Sequence, residues 1–204
     1  MYPIKNEEIL EVAVEASLAA SNIIMEAAHN PVINKVKKSR SDLVTQTDLE
    51  SEKIIKSFIV KNFPGHSILA EESDLKNNNS DYLWIIDPLD GTTNFVHGYP
   101  SFSVSIGVYY KKNPVVGVVL EMPHIKLYTA IVNNGSWCEG NKIQSSKTEN
   151  MKDSLLVTGF GYQHGDLWEK NMDLFKILTD KCHGVRRLGS ASIDICHVAT
   201  GQVD

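Results

Sequence analysis

The 204-residue chain contains no apolar run approaching the roughly 20 residues of a membrane-spanning helix, so no membrane partner is expected. Cysteine is scarce. Cys138, Cys182 and Cys196 stand far apart, with neither a Cys-x-x-Cys pair nor zinc-ligand spacing. Three scattered thiols exclude a disulfide framework and fit reduced cysteines in a cytoplasmic protein. Positive charge is in short supply too: 20 Lys and Arg against 25 Asp and Glu, a net charge of −5. A sequence-independent grip on a nucleic-acid backbone needs a basic surface, so no such partner is expected. Met1-Tyr2-Pro3-Ile4-Lys5-Asn6-Glu7-Glu8 has no cationic stretch leading into an apolar one, and no secretion signal is expected. Repeats, linkers and low-complexity segments are also missing. With 42% hydrophobic and 22% charged residues, the chain has the composition of a packed globular unit, read as one domain over residues 1–204.

Hydrophobic periodicity predicts a long helix over 6–29, where Ile9, Val12, Ala16, Ala19, Ile23 and Ala27 form one stripe. Asn30-Pro31 ends it. Residues 31–47 form a polar connection whose Lys35, Lys37, Lys38 and Arg40 read either as a solvated loop or as a mobile basic flap near an anionic substrate. A second helix is expected near Asp48, with Thr47 and Glu50 as its capping box, closing at Phe63-Pro64-Gly65. A short strand over 67–71 leads to Glu71 and Glu72. From residue 83 the period becomes two. Leu83-Trp84-Ile85-Ile86 reads as a buried strand ending at Asp87, and further strands follow around Val104–Val108, Val115–Leu120, Leu127–Val132 and Leu155–Val157. Helices are expected over 167–180 and 190–200. Helices, then mostly antiparallel strands, then helix and strand again make a layered α/β (α+β) fold.

The informative stretch is Trp84-Ile85-Ile86-Asp87-Pro88-Leu89-Asp90-Gly91-Thr92-Thr93-Asn94-Phe95. An apolar strand delivers two carboxylates to its C-terminal end, where open sheets place ligands. Pro88 fixes its own φ and biases Asp87 towards an extended conformation. Gly91 lets backbone amides approach an anion, and Thr92 and Thr93 stand at a possible helix start, a natural phosphate site. Two carboxylates beside a phosphate-sized nest imply a hard cation, for which Mg2+ is the fitting choice. A bare Asp-x-x-Asp would equally be a pair of turn or cap residues; the preceding strand, Pro88 and the Gly-Thr-Thr reverse that preference. Phosphatases of the haloacid dehalogenase class use Asp-x-Asp-Gly-Thr with the first Asp as nucleophile. Here that position is Pro88, which cannot serve.

Asp87-Pro88-Leu89-Asp90-Gly91-Thr92-Thr93-Asn94-Phe95 resembles the metal-binding signature of the inositol monophosphatase family. Asp42-Leu43-Val44-Thr45-Gln46-Thr47-Asp48, Ala70-Glu71-Glu72-Ser73, Arg186-Arg187-Leu188-Gly189-Ser190-Ala191 and Val198-Ala199-Thr200-Gly201 are similar to its other segments, in order. The resemblance implies an α/β/α/β/α layered sugar-phosphatase fold and two or three Mg2+ ions. Glu71, Asp87, Asp90 and the Leu89 carbonyl would be ligands. Thr92 and Asp48, with Glu71 nearby, would orient a metal-activated water. The amides of Gly91 and Thr92 would hold phosphate beside Thr93, and Ser190 and Ala191 would line the sugar side. By position alone Asp48 is a helix cap, and His97 and Glu72 receive no catalytic duty.

The implied reaction is hydrolysis of a small phosphorylated polyol or sugar, myo-inositol monophosphate first. Fructose 1,6-bisphosphate, histidinol phosphate and a 3′-phosphoadenosine nucleotide are the alternatives. A homodimer and lithium sensitivity are implied as well. The family's later Trp-Asp motif has no counterpart: Trp84, Trp137 and Trp168 are not followed by Asp. The expectation is therefore a fold lacking part of its C-terminal half, with a non-catalytic metal-binding or assembly subunit as the rival reading.

Overall fold

The computed structural model describes residues 3–36, 43–161 and 165–204, leaving aside the side chains of 34–36 and 74. Helices α1 (Asn6–Ala27) and α2 (Gln46–Asn62) flank a short antiparallel pair, β1 (Ile33–Val36) and β2 (Leu43–Thr45). Next come β3 (Ser67–Ala70), β4 (Ser73–Lys76), β5 (Tyr82–Asp90), the one-turn helix α3 (Thr92–Val96), β6 (Phe102–Tyr110), β7 (Asn113–Met122) and β8 (Lys126–Ile131). The chain continues through β9 (Gly135–Cys138), β10 (Asn141–Lys142), β11 (Leu155–Val157), α4 (Asp166–Thr179), β12 (Gly184–Arg186) and α5 (Ala191–Ala199). The main sheet runs β10-β9-β8-β7-β6-β5-β3-β4, antiparallel except where β3 lies parallel to β5. β11 and β12 form a separate parallel pair.

Strand alternation sorts the sheet into two faces. Val104, Ile106 and Val108 of β6, with Val116, Val118 and Leu120 of β7, are buried in one core with Ile9, Ala13, Ala16 and Ile24 of α1. The alanines let the α1 backbone come close, and each fully buried Ile contributes roughly 1.5–3 kcal/mol. The opposite face carries Ser103, Ser105 and Gly107 and receives α5: Ser103 meets Ser192 at 2.6 Å. Beyond α5 stand β11–β12 and α4. The order is helices, sheet, helix, sheet, helix, as expected. Among the described residues, no helix is long and apolar enough to cross a membrane. Cys138, Cys182 and Cys196 are free thiols, and burial pushes Cys196 up to about 12.

Several boundaries differ from the sequence reading. The second helix starts at Gln46, and its capping box is Thr45 with Asp48, not Thr47 with Glu50. Pairing of β2 with β1, continued by Gln46 N donating to Val32 O, holds Thr45 extended, so the chain turns helical one residue later. The connection over 31–47 contains strands, and its Lys37, Lys38, Arg40 and Asp42 lie outside the described residues, as does the Lys35 side chain. β5 does not stop at Asp87 but continues to Asp90.

Candidate active site

Asp87 and Asp90 are three residues apart, so in an unbroken strand they would point to opposite faces. The ladder prevents this. Asp87 pairs with Ser105 and Asp90 with Ser103, three residues of β5 set against two of β6. That β-bulge returns both carboxylates to the same face. Pro88 suits the bulge because it has no N–H to leave unpaired. The Leu89 side chain, 1% exposed, anchors the bulge in the core, and its amide donates to Asp87 Oδ1 at 3.2 Å.

Glu71 arrives from the neighbouring strand. β3 is parallel to β5 with Ala70 opposite Ile86, and Glu71 N donates to Ile86 O at 3.1 Å. Both strands therefore end at the same edge, bringing Glu71 beside Asp87. The turn after Glu71 is clamped by Glu52 of α2, only 6% exposed. Its carboxylate accepts from Glu72 N (3.0 Å), Ser73 Oγ (2.5 Å) and Lys56 Nζ (2.8 Å). Burial, then the charges of Glu71 and Asp90, push the Asp87 carboxyl up to about 9. Carboxylates gathered this closely call for a compensating cation, and the oxygen-only donor set fits Mg2+. Among the described residues, no three acidic, His or Cys side chains already close around one point. Asp90 instead directs Oδ2 to Ser190 Oγ (2.8 Å), Ser192 N (2.7 Å) and Ser192 Oγ (2.7 Å).

Asp48 reaches the same edge from the first turn of α2. It is 2% exposed, accepts from Thr45 N at 2.8 Å, and accepts from Thr92 Oγ at 3.1 Å. Thr92 Oγ also stands 3.0 Å from Leu89 O, so its single proton is shared between two acceptors. Burial raises the Asp48 carboxyl above its usual range even against the hydrogen bonds from Thr45 and Thr92. Asp48 is thus both a helix cap and a partner of Thr92.

Gly91 makes the turn into α3 with φ +88°; a Cβ there would lie 2.9 Å from Ser101 O. Asn94 donates to Ser101 O (2.6 Å) and Leu188 O (2.7 Å), drawing the loop before α5 onto the site. Ser190 and Ala191 then border a cavity of about 580 Å³, together with Asp90, Gly161, Arg187 and Asp194. A second cleft, of about 520 Å³, includes Glu71, Asp87 and Ser105. Asp48, Glu71, Asp87, Leu89, Asp90, Gly91 and Thr92 therefore gather at one sheet edge, with Thr93 in the adjoining helical turn. His97 is exposed beyond α3.

Sequence reasoning missed Glu52, Asn94, Ser103 and Ser192. Glu52 carried a signal: it lies one helical turn after Asp48, in line with the apolar Ile55 and Ile59, where a solvated acid does not belong. Ser192 meets Asp90 across 102 residues and Ser103 meets Ser192 across 89, and no local pattern announces those contacts.

The Inositol monophosphatase family description matches residues 5–204. The chain is 48% identical over 200 residues to the chloroplastic phosphatase IMPL1 of Arabidopsis thaliana, covering 95% of this chain and 54% of that one. It thus spans about half the length of that relative. The structure of inositol monophosphatase from Anabaena (Nostoc) sp. PCC 7120 is 40% identical with a TM-score of 0.83, over 97% of this chain and 73% of that one. An IMPase/NADP phosphatase solved with Mg2+ and phosphate is 28% identical with a TM-score of 0.83, over 97% and 73%.

Proposed function

This chain belongs to the inositol monophosphatase family, and we propose that it hydrolyses the phosphate monoester of a small polyol, with myo-inositol monophosphate as the first substrate. The observation that carries this reading is the gathering of Glu71, Asp87, Asp90 and the Asp48–Thr92 pair at one sheet edge, beside a cavity large enough for a sugar ring.

Glu71, Asp87, Asp90 and the Leu89 carbonyl would hold Mg2+. Held there, Mg2+ would supply a more acidic bound water and compensation for phosphoryl charge. Phosphoryl transfer otherwise needs positioning more than covalent help. The opening amides of α3, from Gly91 and Thr92 beside Thr93, receive the phosphate oxygens; the first helical bond, from Phe95 N to Gly91 O, lies beyond them. Thr92 Oγ accepts a hydrogen bond from the attacking water while donating its own proton to Asp48. Burial raises the Asp48 carboxyl above its usual range, the direction that favours accepting a proton. Ser190 and Ala191 border the space for the leaving alcohol.

Phosphate release from myo-inositol 1-phosphate, fructose 1,6-bisphosphate, histidinol phosphate and 3′-phosphoadenosine 5′-phosphate, with Mg2+ and with Asp90→Asn as the blank, tests the reading. Turnover of the inositol ester, abolished in the variant, supports it. Preferred turnover of another ester keeps the chemistry and replaces the substrate. Mg2+ binding by a folded chain without turnover on any ester would replace it with the assembly-subunit reading. A homodimer belongs to the same proposal and is tested by sedimentation equilibrium.

A further inference from the structure

The cavity beside Asp90 contains a group that the proposed chemistry does not use. Asp194 sits in the first turn of α5, one turn after Ala191, and lines the 580 Å³ space. It is only 7% exposed, and its Oδ1 is buried with no hydrogen-bond partner among the described residues. A buried carboxylate oxygen without a donor carries a desolvation cost, which a fold tolerates where a ligand supplies the donor. The nearby charges are Asp90, Arg187 and His197. Arg187 lines the same cavity and its charge acts on Asp194, while its guanidinium lies over the Phe160 ring, 4.8 Å from the centroid. His197, whose charge also acts on Asp194, has its Nε2 3.6 Å from Glu121 Oε2.

From this geometry we infer that Asp194 is a specificity-determining residue, accepting hydrogen bonds from hydroxyl groups of the leaving alcohol in the cavity beside Asp90. The inference rests on the phosphomonoesterase reading and deepens it. A carboxylate has acceptor sites and no donor, so it suits adjacent hydroxyls. The remaining wall is largely apolar and backbone, from Val157, Phe160, Gly161 and Val198, which fits the carbon face of a ring. Polyol monophosphates are therefore favoured over esters of alcohols without further hydroxyls.

The test compares wild type with Asp194→Ala and Asp194→Asn on myo-inositol 1-phosphate and on p-nitrophenyl phosphate, whose leaving group has no further hydroxyl. Binding of myo-inositol itself is followed by calorimetry, which needs no turnover. The ratio of kcat/KM for the inositol ester to that for the aryl ester is expected to fall roughly tenfold to a hundredfold in Asp194→Ala, the range for losing a hydrogen bond to a charged group. The change should lie mainly in KM, and myo-inositol affinity should fall in parallel. Asp194→Asn retains a carbonyl acceptor in the same shape, so it is expected to recover part of the ratio, and it serves alone if the alanine variant does not fold. An unchanged ratio, or an equal loss on both esters, would overturn the assignment, as would wild type that does not bind myo-inositol. Wild type that binds myo-inositol through Asp194 but hydrolyses neither ester would sink the phosphatase reading and, with it, the role in substrate specificity, leaving Asp194 as a polyol-binding residue only.

Discussion

Glu52→Ala tests whether the site depends on a residue that stands behind Glu71. The Glu52 carboxylate accepts three hydrogen bonds, two of them from the turn immediately after Glu71. Burial would raise this carboxyl, yet the bonds from Lys56, Ser73 and the Glu72 amide hold it below the ordinary range. Hydrogen bonds to a charged acceptor contribute about 1.5–3 kcal/mol each in buried settings, and bonds sharing one acceptor do not add fully. Lys56 is 25% exposed and regains water once released, so its share is small. The net loss is about 2–3 kcal/mol. For a chain of this length that lowers Tm by roughly 4–12 °C. The Glu71 backbone then loses its brace, and the Mg2+ concentration for half-maximal phosphate release is expected to rise several-fold. Melting curves read the first effect and a Mg2+ titration the second. Because the native carboxyl is depressed, the stability Glu52 supplies is present above its unfolded value near 4.5 and is lost as pH falls through the lower folded value. A Tm within 1 °C of wild type together with an unchanged Mg2+ titration would refute the clamp.

Gly91→Ala must place a Cβ 2.9 Å from Ser101 O at φ +88°, so a loss of at least about 1–2 kcal/mol is expected, together with a fall in phosphate affinity, read by melting and by inhibition with inorganic phosphate. Thr92→Val keeps the shape and removes the hydroxyl that links Asp48 to the water; kcat is expected to fall by roughly 10²–10⁴ with KM little changed, and a variant of wild-type kcat would remove Thr92 from the proton path. His66 is buried between Phe63 and Tyr82, its Nδ1 accepting from Trp84 Nε1 at 2.9 Å, and burial lowers its pKa. Its contribution is therefore full above the unfolded value near 6.5 and is lost as pH falls below it. Wild type should lose stability relative to His66→Phe between pH 7.5 and 5.5, by no more than about 1.4 kcal/mol per pH unit, and parallel curves would contradict this.

Much of the site was legible because its signals are local. A strand, a proline, two acids and a glycine stand consecutively, and each residue type limits what the backbone can do. The capping residue was misread because Thr45 and Thr47 both precede an acid at the right spacing. Only the pairing of β2 with β1, a contact outside the local pattern, decides which of them is held extended. Asp48 is a cap through Oδ2, which faces Thr45, and its Oδ1 faces Thr92, the contact on which the proposed catalytic role rests.

By itself the sequence determined the layered α/β class and the carboxylates at the end of β5, which follow from periodicity and from short runs of chemically constrained residues, and the family through the resemblance of its motifs. The tertiary structure alone decided how those carboxylates are arranged. The bulge puts Asp87 and Asp90 on one face, parallel pairing of β3 with β5 brings in Glu71, and Glu52 holds it there. The serines on Asp90 and the donor-less oxygen of Asp194 belong to the same class, because they depend on α5 crossing a sheet laid down about 100 residues earlier. Such contacts are fixed by packing between distant segments, whose free energy is spread over the whole core and leaves no periodic trace in the chain.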